Sequence, residues 1–459
     1  MTRPASRTLR TTVAGLAVGL VVTLSSAMSL TLAAPAHAAN VVTPGNFTGY
    51  GFDQCLAPKQ WEMDRWLEHS PFLAVGIYIS GDSRACRSQP NLTRSWVGTQ
   101  LQRGWRLLPI TLGPQASCQP RFPRYGNDET IIPKRGTDGR YNLARGQGQA
   151  EAGKAVEAAT ALGISAGSTL WYDLEGFDLD NRDCRESALA FLSAWTTRIH
   201  KLGYVSGVYS SAGSGIKALD NARVNRPAAF DLPDQIWVAR WSGVPGRIND
   251  PKHLYLRADG WMPHARVHQY QGGHDETWGG VRINIDRNFL DLGRGSWAAP
   301  ESHCNGVPIS LAKYTVLRPP VEDRMPDPAQ VKALQCLLKE HQLYAGKVNG
   351  TWNDATVTAF NTWQTQHGFT ARPSWTKRQW MTLLIDGGTP VLKFGSAGEG
   401  VRRLQRTLNA ADPTTGLAVT GVFNAATDSA LRAWQRKLDF EVSGVVADES
   451  WAGLRAGLR

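Results

Sequence analysis

A repeat near the C-terminal end limits the fold more than any other feature of this chain. Leu334-Gln335 recurs 70 positions later as Leu404-Gln405. Gly350, Thr356, Ala359, Trp363-Gln364 and Trp380 recur 71 positions later as Gly421, Thr427, Ala430, Trp434-Gln435 and Trp451. Self-similarity at a fixed period marks each copy as one structural unit. Each copy opens with apolar residues at helical spacing, Val331, Leu334 and Leu338 in one and Val401, Leu404 and Leu408 in the other. A Gly-containing loop follows, and then a capping residue, Asn353 or Asp354 in one copy and Asn424 in the other. The second helix carries Thr356, Phe360 and Trp363, or Thr427, Leu431 and Trp434; a short third helix carries Trp380 or Trp451. The expectation is two small all-α three-helix domains, over 326–386 and 390–457, each large enough to fold alone. Trp363 and Trp434 are expected in their cores rather than on a sugar.

Residues 49–292 have a different texture. Short β-branched or aromatic runs at Tyr50–Phe52, Leu73–Ile79, Leu107–Thr111, Thr169–Leu174, Val205–Tyr209, Ile236–Ala239, Val267–Tyr270 and Ile283–Ile285 alternate with helical patterns such as Gln147–Leu162 and Ser187–Leu202. Alternation argues for a parallel sheet, and eight such units predict a TIM-barrel-like β/α barrel over 47–293, in an α/β chain. An open doubly wound sheet is the alternative. Gly113–Gly146, rich in Gly, Pro, Arg and Asp, is expected to be a long loop or insertion on the barrel rim. A Pro-rich linker is expected over 294–325, part extended and part docked.

Charge needs a partner to explain it. The net charge is +11. Arg3, Arg7 and Arg10 precede the uncharged run Val13–Leu24 and the small-x-small site Ala36-His37-Ala38, so 1–38 is expected to be a signal peptide and the chain to be secreted, extracellular or wall-associated. Val13–Leu24 is short for a membrane span, which needs roughly 20 residues, and no stable span is expected. Without the three signal arginines the charge remains about +8. Export and the lack of a basic helix or Arg-rich run exclude nucleic acid; a polyanionic cell wall fits better. Six cysteines in an exported chain predict three disulfides. Cys304 and Cys336 both lie outside the first domain and are expected to pair; Cys55, Cys86, Cys118 and Cys184 leave three pairings open. The lack of paired CxxC spacing excludes a zinc site, so no metal is expected. Ser210-Ser211-Ala212-Gly213-Ser214-Gly215 lacks the Lys of a phosphate loop, so no cofactor is expected. No oligomer signal is present, and a monomer is expected.

The first block places acids where a barrel would gather them. Trp171-Tyr172-Asp173-Leu174-Glu175 ends a strand in a D-x-E pair, whose side chains share one face roughly 6.6 Å apart. Asp53 ends the first strand and Asp286 the last, and first and last strands are neighbours when a barrel closes. Crowded, partly buried carboxylates raise one another's pKa, which keeps a general acid protonated near neutral pH. Glycoside hydrolysis needs such an acid and a negative group beside it. Trp171, Trp237 and Trp241, at or beside strand ends, are the tryptophans to test for sugar contact, and Trp241 is the candidate to face the cleft.

Two resemblances sharpen these expectations. The segments VKALQCLLKE…GKVNGTWNDATVTAFNTWQ and VRRLQRTLN…VTGVFNAATDSALRAWQRKL resemble the peptidoglycan-binding three-helix domain of secreted wall hydrolases, which implies docking to cell-wall glycan. The first copy departs from that pattern at Ala371-Arg372-Pro373, where a Gly-containing turn is usual. Gly51-Phe52-Asp53, Tyr172-Asp173-Leu174-Glu175, Ile236-Trp237-Val238-Ala239, His268-Gln269-Tyr270 and Ile285-Asp286-Arg287-Asn288-Phe289 resemble the lysozyme-like muramidases of glycoside hydrolase family 25. Asp53-Gln54-Cys55-Leu56-Ala57-Pro58, Gly76-Ile77-Tyr78-Ile79-Ser80-Gly81 and Arg84-Ala85-Cys86 carry a closer likeness to a glycoside-hydrolase-like domain of unknown function in secreted actinobacterial proteins. The resemblances imply Glu175 as general acid and Asp173 as the group that orients a substrate acetamido. They imply Asp53 and Asp286 in the sugar subsite, with Gln269, Tyr270 and Trp241 on the substrate. Family 25 carries an acid on the second-strand segment, where this chain reads Ser80-Gly81-Asp82-Ser83-Arg84; Asp82 is the candidate substitute. An acid from Gly81–Cys86 reaching the cleft would favour a hydrolase of peptidoglycan or a related glycan. Its absence would favour a non-catalytic carbohydrate-binding barrel.

Overall fold

The computed structural model describes residues 39–119 and 127–459. The expected signal peptide therefore lies outside the described residues, as do positions 120–126 of the Gly113–Gly146 stretch.

The first block runs β1 (Phe47–Asp53), α1 (Gln60–His69), β2 (Ala74–Ser80), α2 (Arg94–Gln102) and β3 (Arg106–Thr111). A two-residue parallel pair follows, β4 (Gln115–Ala116) with β5 (Thr130–Ile131). Then come α3 (Asn142–Ala161), β6 (Thr169–Asp173), α4 (Arg182–Lys201), β7 (Val205–Ser211), α5 (Lys217–Asn225), β8 (Gln235–Ala239), β9 (Ala265–Trp278) and β10 (Val281–Leu292). Eight strands close a barrel in the order β1-β10-β9-β8-β7-β6-β3-β2. The two long helices start five residues before the predicted positions, α4 because Asn181 accepts the Cys184 N–H and caps it.

The barrel departs from an all-parallel sheet at its last strand. β10 pairs antiparallel with both β9 and β1. Gly279 and Gly280, both at positive φ, form a two-residue hairpin turn between Trp278 and Val281, so no crossover helix intervenes. Five α-helices, α1 to α5, therefore follow the strands from β1 to β7, and among them only α1 reaches the β9–β10 hairpin, where Trp66 Nε1 donates to the Val281 carbonyl at 3.1 Å.

The second half folds as two three-helix sets, α6 (Pro328–Glu340), α7 (Asp354–Gln366) and α8 (Lys377–Leu384), then α9 (Glu399–Ala411), α10 (Ala425–Lys437) and α11 (Asp448–Arg455). Asn353 and Asn424 cap α7 and α10. The repeated Leu-Gln, Gly and Thr positions form one hydrogen-bond set. Buried Gln335 accepts from Gly350 N–H and donates to Thr356 Oγ1, and Gln405 does the same with Gly421 and Thr427. The Trp-Gln positions act likewise: Gln435 accepts from Gly444 N–H, and at the departure in the first copy Gln364 accepts from Arg372 N–H. Trp363 and Trp434 are buried in one apolar core that spans both sets. The 294–325 segment docks on that core through Ile309, Tyr314 and Leu317. Three disulfides, Cys55–Cys86, Cys118–Cys184 and Cys304–Cys336, account for all six cysteines.

The segment that leads into the second helical set adds cover over β1 and β10. Phe394 packs on Tyr50 at 5.3 Å and Phe289 at 6.2 Å, both on the outer face. Gly395 lies so close to β1 that a Cβ would come within 2.6 Å of the Phe47 ring. Lys393 is buried and donates to the carbonyls of Ser70 at 2.7 Å, Phe72 at 3.2 Å and Trp66 at 3.4 Å, at the C-terminal end of α1. Burial pushes the Lys393 pKa well below the ordinary lysine range, while the negative end of the helix dipole favours its charged form.

Candidate active site

Register brings the acids together. Asp53 is the last residue of β1, and Asp286 sits six positions before the end of β10, directly opposite it. Asp286 thus reaches the mouth through antiparallel pairing, not by ending a strand as expected. Glu175 lies two residues beyond β6 and faces the same cleft. The cleft holds about 280 Å³ and is lined by these three acids with Gln54, Tyr78, Arg84 and the Cys55–Cys86 bridge.

Inward-facing polar groups fix the acids from below. Asn288 follows Asp286 by two positions and shares its face. Its amide donates to Asp53 Oδ1 at 2.6 Å, and its oxygen accepts from Trp237 Nε1 at 2.8 Å. The indole can only donate, which sets the orientation of the amide. Gln269 Nε2 donates to Asp53 and Asp286, both at 3.3 Å. Gln269 Oε1 accepts from Tyr209 OH at 3.0 Å and Trp241 Nε1 at 3.1 Å. Gly76 makes room for the group: a Cβ there would lie 2.6 Å from Asp53 Cβ.

Electrostatics separate the carboxyls. Burial, and then the Asp286 charge, hold the Asp53 pKa well above its ordinary value, against the hydrogen bonds from Asn288 and Gln269. Burial pushes Asp286 up to about 6. Burial also raises Tyr78 and Tyr209 far above the ordinary phenol range, so both remain hydrogen-bond donors at neutral pH. The arrangement can hold a proton on one carboxyl while a neighbour carries charge, as acid-assisted cleavage of a glycosidic bond requires.

The match to known families agrees with this architecture. Residues 64–290 match the family described as the Rv2525c-like, glycoside hydrolase-like domain, and residues 397–453 match a peptidoglycan binding domain. The barrel is an Rv2525c-like glycoside hydrolase-like domain. No curated protein matches the chain. Among solved structures, an uncharacterized B. stearothermophilus protein is 20% identical, with 53% of this chain and 95% of that one covered and a TM-score of 0.31. The Mycobacterium tuberculosis Tat-secreted protein Rv2525c, in complex with L-tartrate, is 16% identical over 53% and 95%, with a TM-score of 0.33. A family 25 glycosyl hydrolase from Bacillus anthracis is 12% identical over 57% and 96%, with a TM-score of 0.31.

Several expected residues stand elsewhere in the glycoside hydrolase-like domain. Tyr270 lies on the outer face of β9, because neighbours on a strand point to opposite sides and Gln269 faces in. Gln269 is buried beneath the acids and all its amide groups are engaged, so it positions carboxylates instead of meeting substrate. Asp173 is buried and accepts from Tyr78 OH at 3.3 Å; Tyr78, not Asp173, lines the cleft. Asp82 is a correction too. Its side chain is 91% exposed and reaches toward Lys154 at 3.9 Å, because the turn at Gly81, φ +97°, directs it outward. Arg84 takes the place in the cleft, held by bonds to the Gly81 and Tyr78 carbonyls. Trp241 is 68% exposed near the mouth, and its ring lies against Gly272, where a Cβ would come within 2.2 Å. Trp171 and Trp237 are buried and meet edge to face at 5.6 Å inside the barrel.

Asn288, Tyr78 and Tyr209 went unread in the sequence. Asp286-x-Asn288 alternation would have found the first. Among the described residues, the cluster of metal-type ligands, Cys304, Cys336 and Glu340, includes both sulfurs of a disulfide.

Proposed function

We propose that the chain is a secreted, wall-bound glycoside hydrolase that cleaves a glycosidic bond of peptidoglycan or a related wall glycan. The observation that carries this reading is the trio Asp53, Glu175 and Asp286 in one cleft, with burial and the Asp286 charge raising the pKa of the first and burial lifting the third to about 6. Glu175 protonates the leaving oxygen. Asp286, ionised at neutral pH, steadies the positive charge that develops on the sugar; water then adds to the anomeric carbon, and its proton returns to Glu175. Asp173 acts through Tyr78, and Trp241 offers a ring face at the rim. The matched peptidoglycan binding domain supports a wall-glycan partner, and the first helical set is proposed to share it. The Arg-rich start, apolar run and Ala36-His37-Ala38 site support export. Among the described residues no helix is long and apolar enough to cross a membrane.

A second reading has one observation in its favour. The Gly81–Cys86 segment delivers Arg84 to the cleft in place of an acid, which favours a carbohydrate-binding barrel without turnover. Mass spectrometry of fragments released from purified sacculi separates the two. New sugar reducing ends that vanish with Glu175→Gln support the hydrolase. Co-sedimentation with sacculi without release supports the binding barrel.

A further inference from the structure

A second groove of about 410 Å³ lies between the outer face of the barrel and the second helical set. Its volume is within the range of roughly 300–1,000 Å³ typical of ligand sites. The barrel contributes Tyr50, Tyr270 and Trp278, and the helical set contributes Phe394. Two ion pairs flank these rings. Arg432 Nε meets Asp428 at 2.8 Å, and Arg287 pairs with Glu276.

The groove is not simply an imperfect seam. Tyr270 is 4% exposed, and what it leaves open faces the groove. Tyr50 is half-buried, and both phenol rings line the groove, where their hydroxyls are open to a ligand. Aromatic faces beside neutralised guanidinium–carboxylate pairs suit a ligand with apolar C–H faces and many hydroxyls, and no net charge is called for. Asp428, Arg432 and Gly444 belong to the residues matched to the peptidoglycan binding domain. The opposite wall is the hairpin β9–β10, whose inner face carries Asp286.

We propose that this groove binds a stretch of wall glycan continuous with the strand held in the cleft. A chain crossing the hairpin would then touch the barrel's acids on one face and the helical set on the other. This inference rests on the wall-glycan reading given above.

The test uses the full chain carrying Glu175→Gln, so that no strand is consumed, and peptide-free peptidoglycan glycan strands as the probe. Ala425 is exposed at the rim of the groove, at the start of α10. Ala425→Trp should fill the groove and weaken binding of long strands about tenfold, from loss of linked contacts. It should leave single-disaccharide binding and the melting temperature unchanged. Hydrogen exchange of the chain without that substitution should slow at 425–444 when long strands are added. Equal affinity for long strands, or no protection at 425–444, overturns the proposal. A chain that sediments with sacculi but binds no peptide-free strand overturns the groove and leaves wall binding standing. A chain that does neither overturns both.

Discussion

Replacing Asp286 by Asn should stabilise the fold at neutral pH while damaging the site. Burial raises the carboxyl from its ordinary 3.8 to about 6. The folded state then binds this proton more tightly than the unfolded state does, so stability falls as pH rises between those values. The difference of about 2.2 units corresponds to about 3 kcal/mol, fully felt above pH 6 and absent well below 3.8. Asn keeps the size of the protonated acid and an oxygen for the Gln269 amide. Urea unfolding followed by tryptophan fluorescence should therefore give Asp286→Asn a gain approaching 3 kcal/mol at about pH 7.5, shrinking to about 0.5 kcal/mol at about pH 4. Because Asp53 and Asp286 perturb each other, Asp53→Asn should gain in the same direction, and the double variant should gain less than the sum. A pH-independent gain, or no gain at neutral pH, would refute the claim that Asp286 is held ionised at a cost.

Other consequences are equally specific. Gly76→Ala forces a methyl against Asp53, Ile110 and Trp237, and should cost about 1–3 kcal/mol in thermal or urea unfolding. Lys393→Ala removes the donor to three carbonyls at the end of α1; it should cost about 2–4 kcal/mol and speed proteolytic release of the helical half. Glu301 bonds buried Arg406, and the paired guanidinium holds its pKa down at about 2 despite burial. A lowered acid pKa adds stability above 4.5 that fades as pH falls toward 2. Glu301→Gln should therefore unfold more easily than the parent at neutral pH, and the gap should narrow in acid.

The sequence carried the barrel because each strand is a short apolar run between helix-like stretches, and eight such runs are eight strands. It carried the helical sets because their repeated Gln residues clamp loops whose Gly positions also repeat. Strand direction was less legible. The pair Gly279-Gly280 between Trp278 and Val281 marks a hairpin, but the eight-unit pattern pointed to another crossover. Alternation decides which residues share a face, and it separates Gln269 from Tyr270 once the inward set is known. Nothing comparable fixes a loop: Asp82 and Arg84 are two residues apart on an irregular turn, and only the fold reveals which one enters the cleft. The carboxylate trio was legible because strand ends are. Trp237 stood out beside a strand end, though as a residue to meet sugar and not as the donor that orients Asn288; Tyr209 was hidden among the many aromatic residues of a core.

The packing of Phe394 on β1 and β10, and of Lys393 on the end of α1, bears on how such a chain can change over generations. A wall-binding module on a solvated tether can be exchanged for another with no effect on its neighbour. Here exchange would strip the Phe394 ring from one side of the barrel and leave the last carbonyls of α1 without the Lys393 donor. Recombination at the junction is therefore penalised in folding before any question of binding arises. The two halves should be inherited together, with substitutions at Tyr50 and Phe289 matched by changes at Phe394.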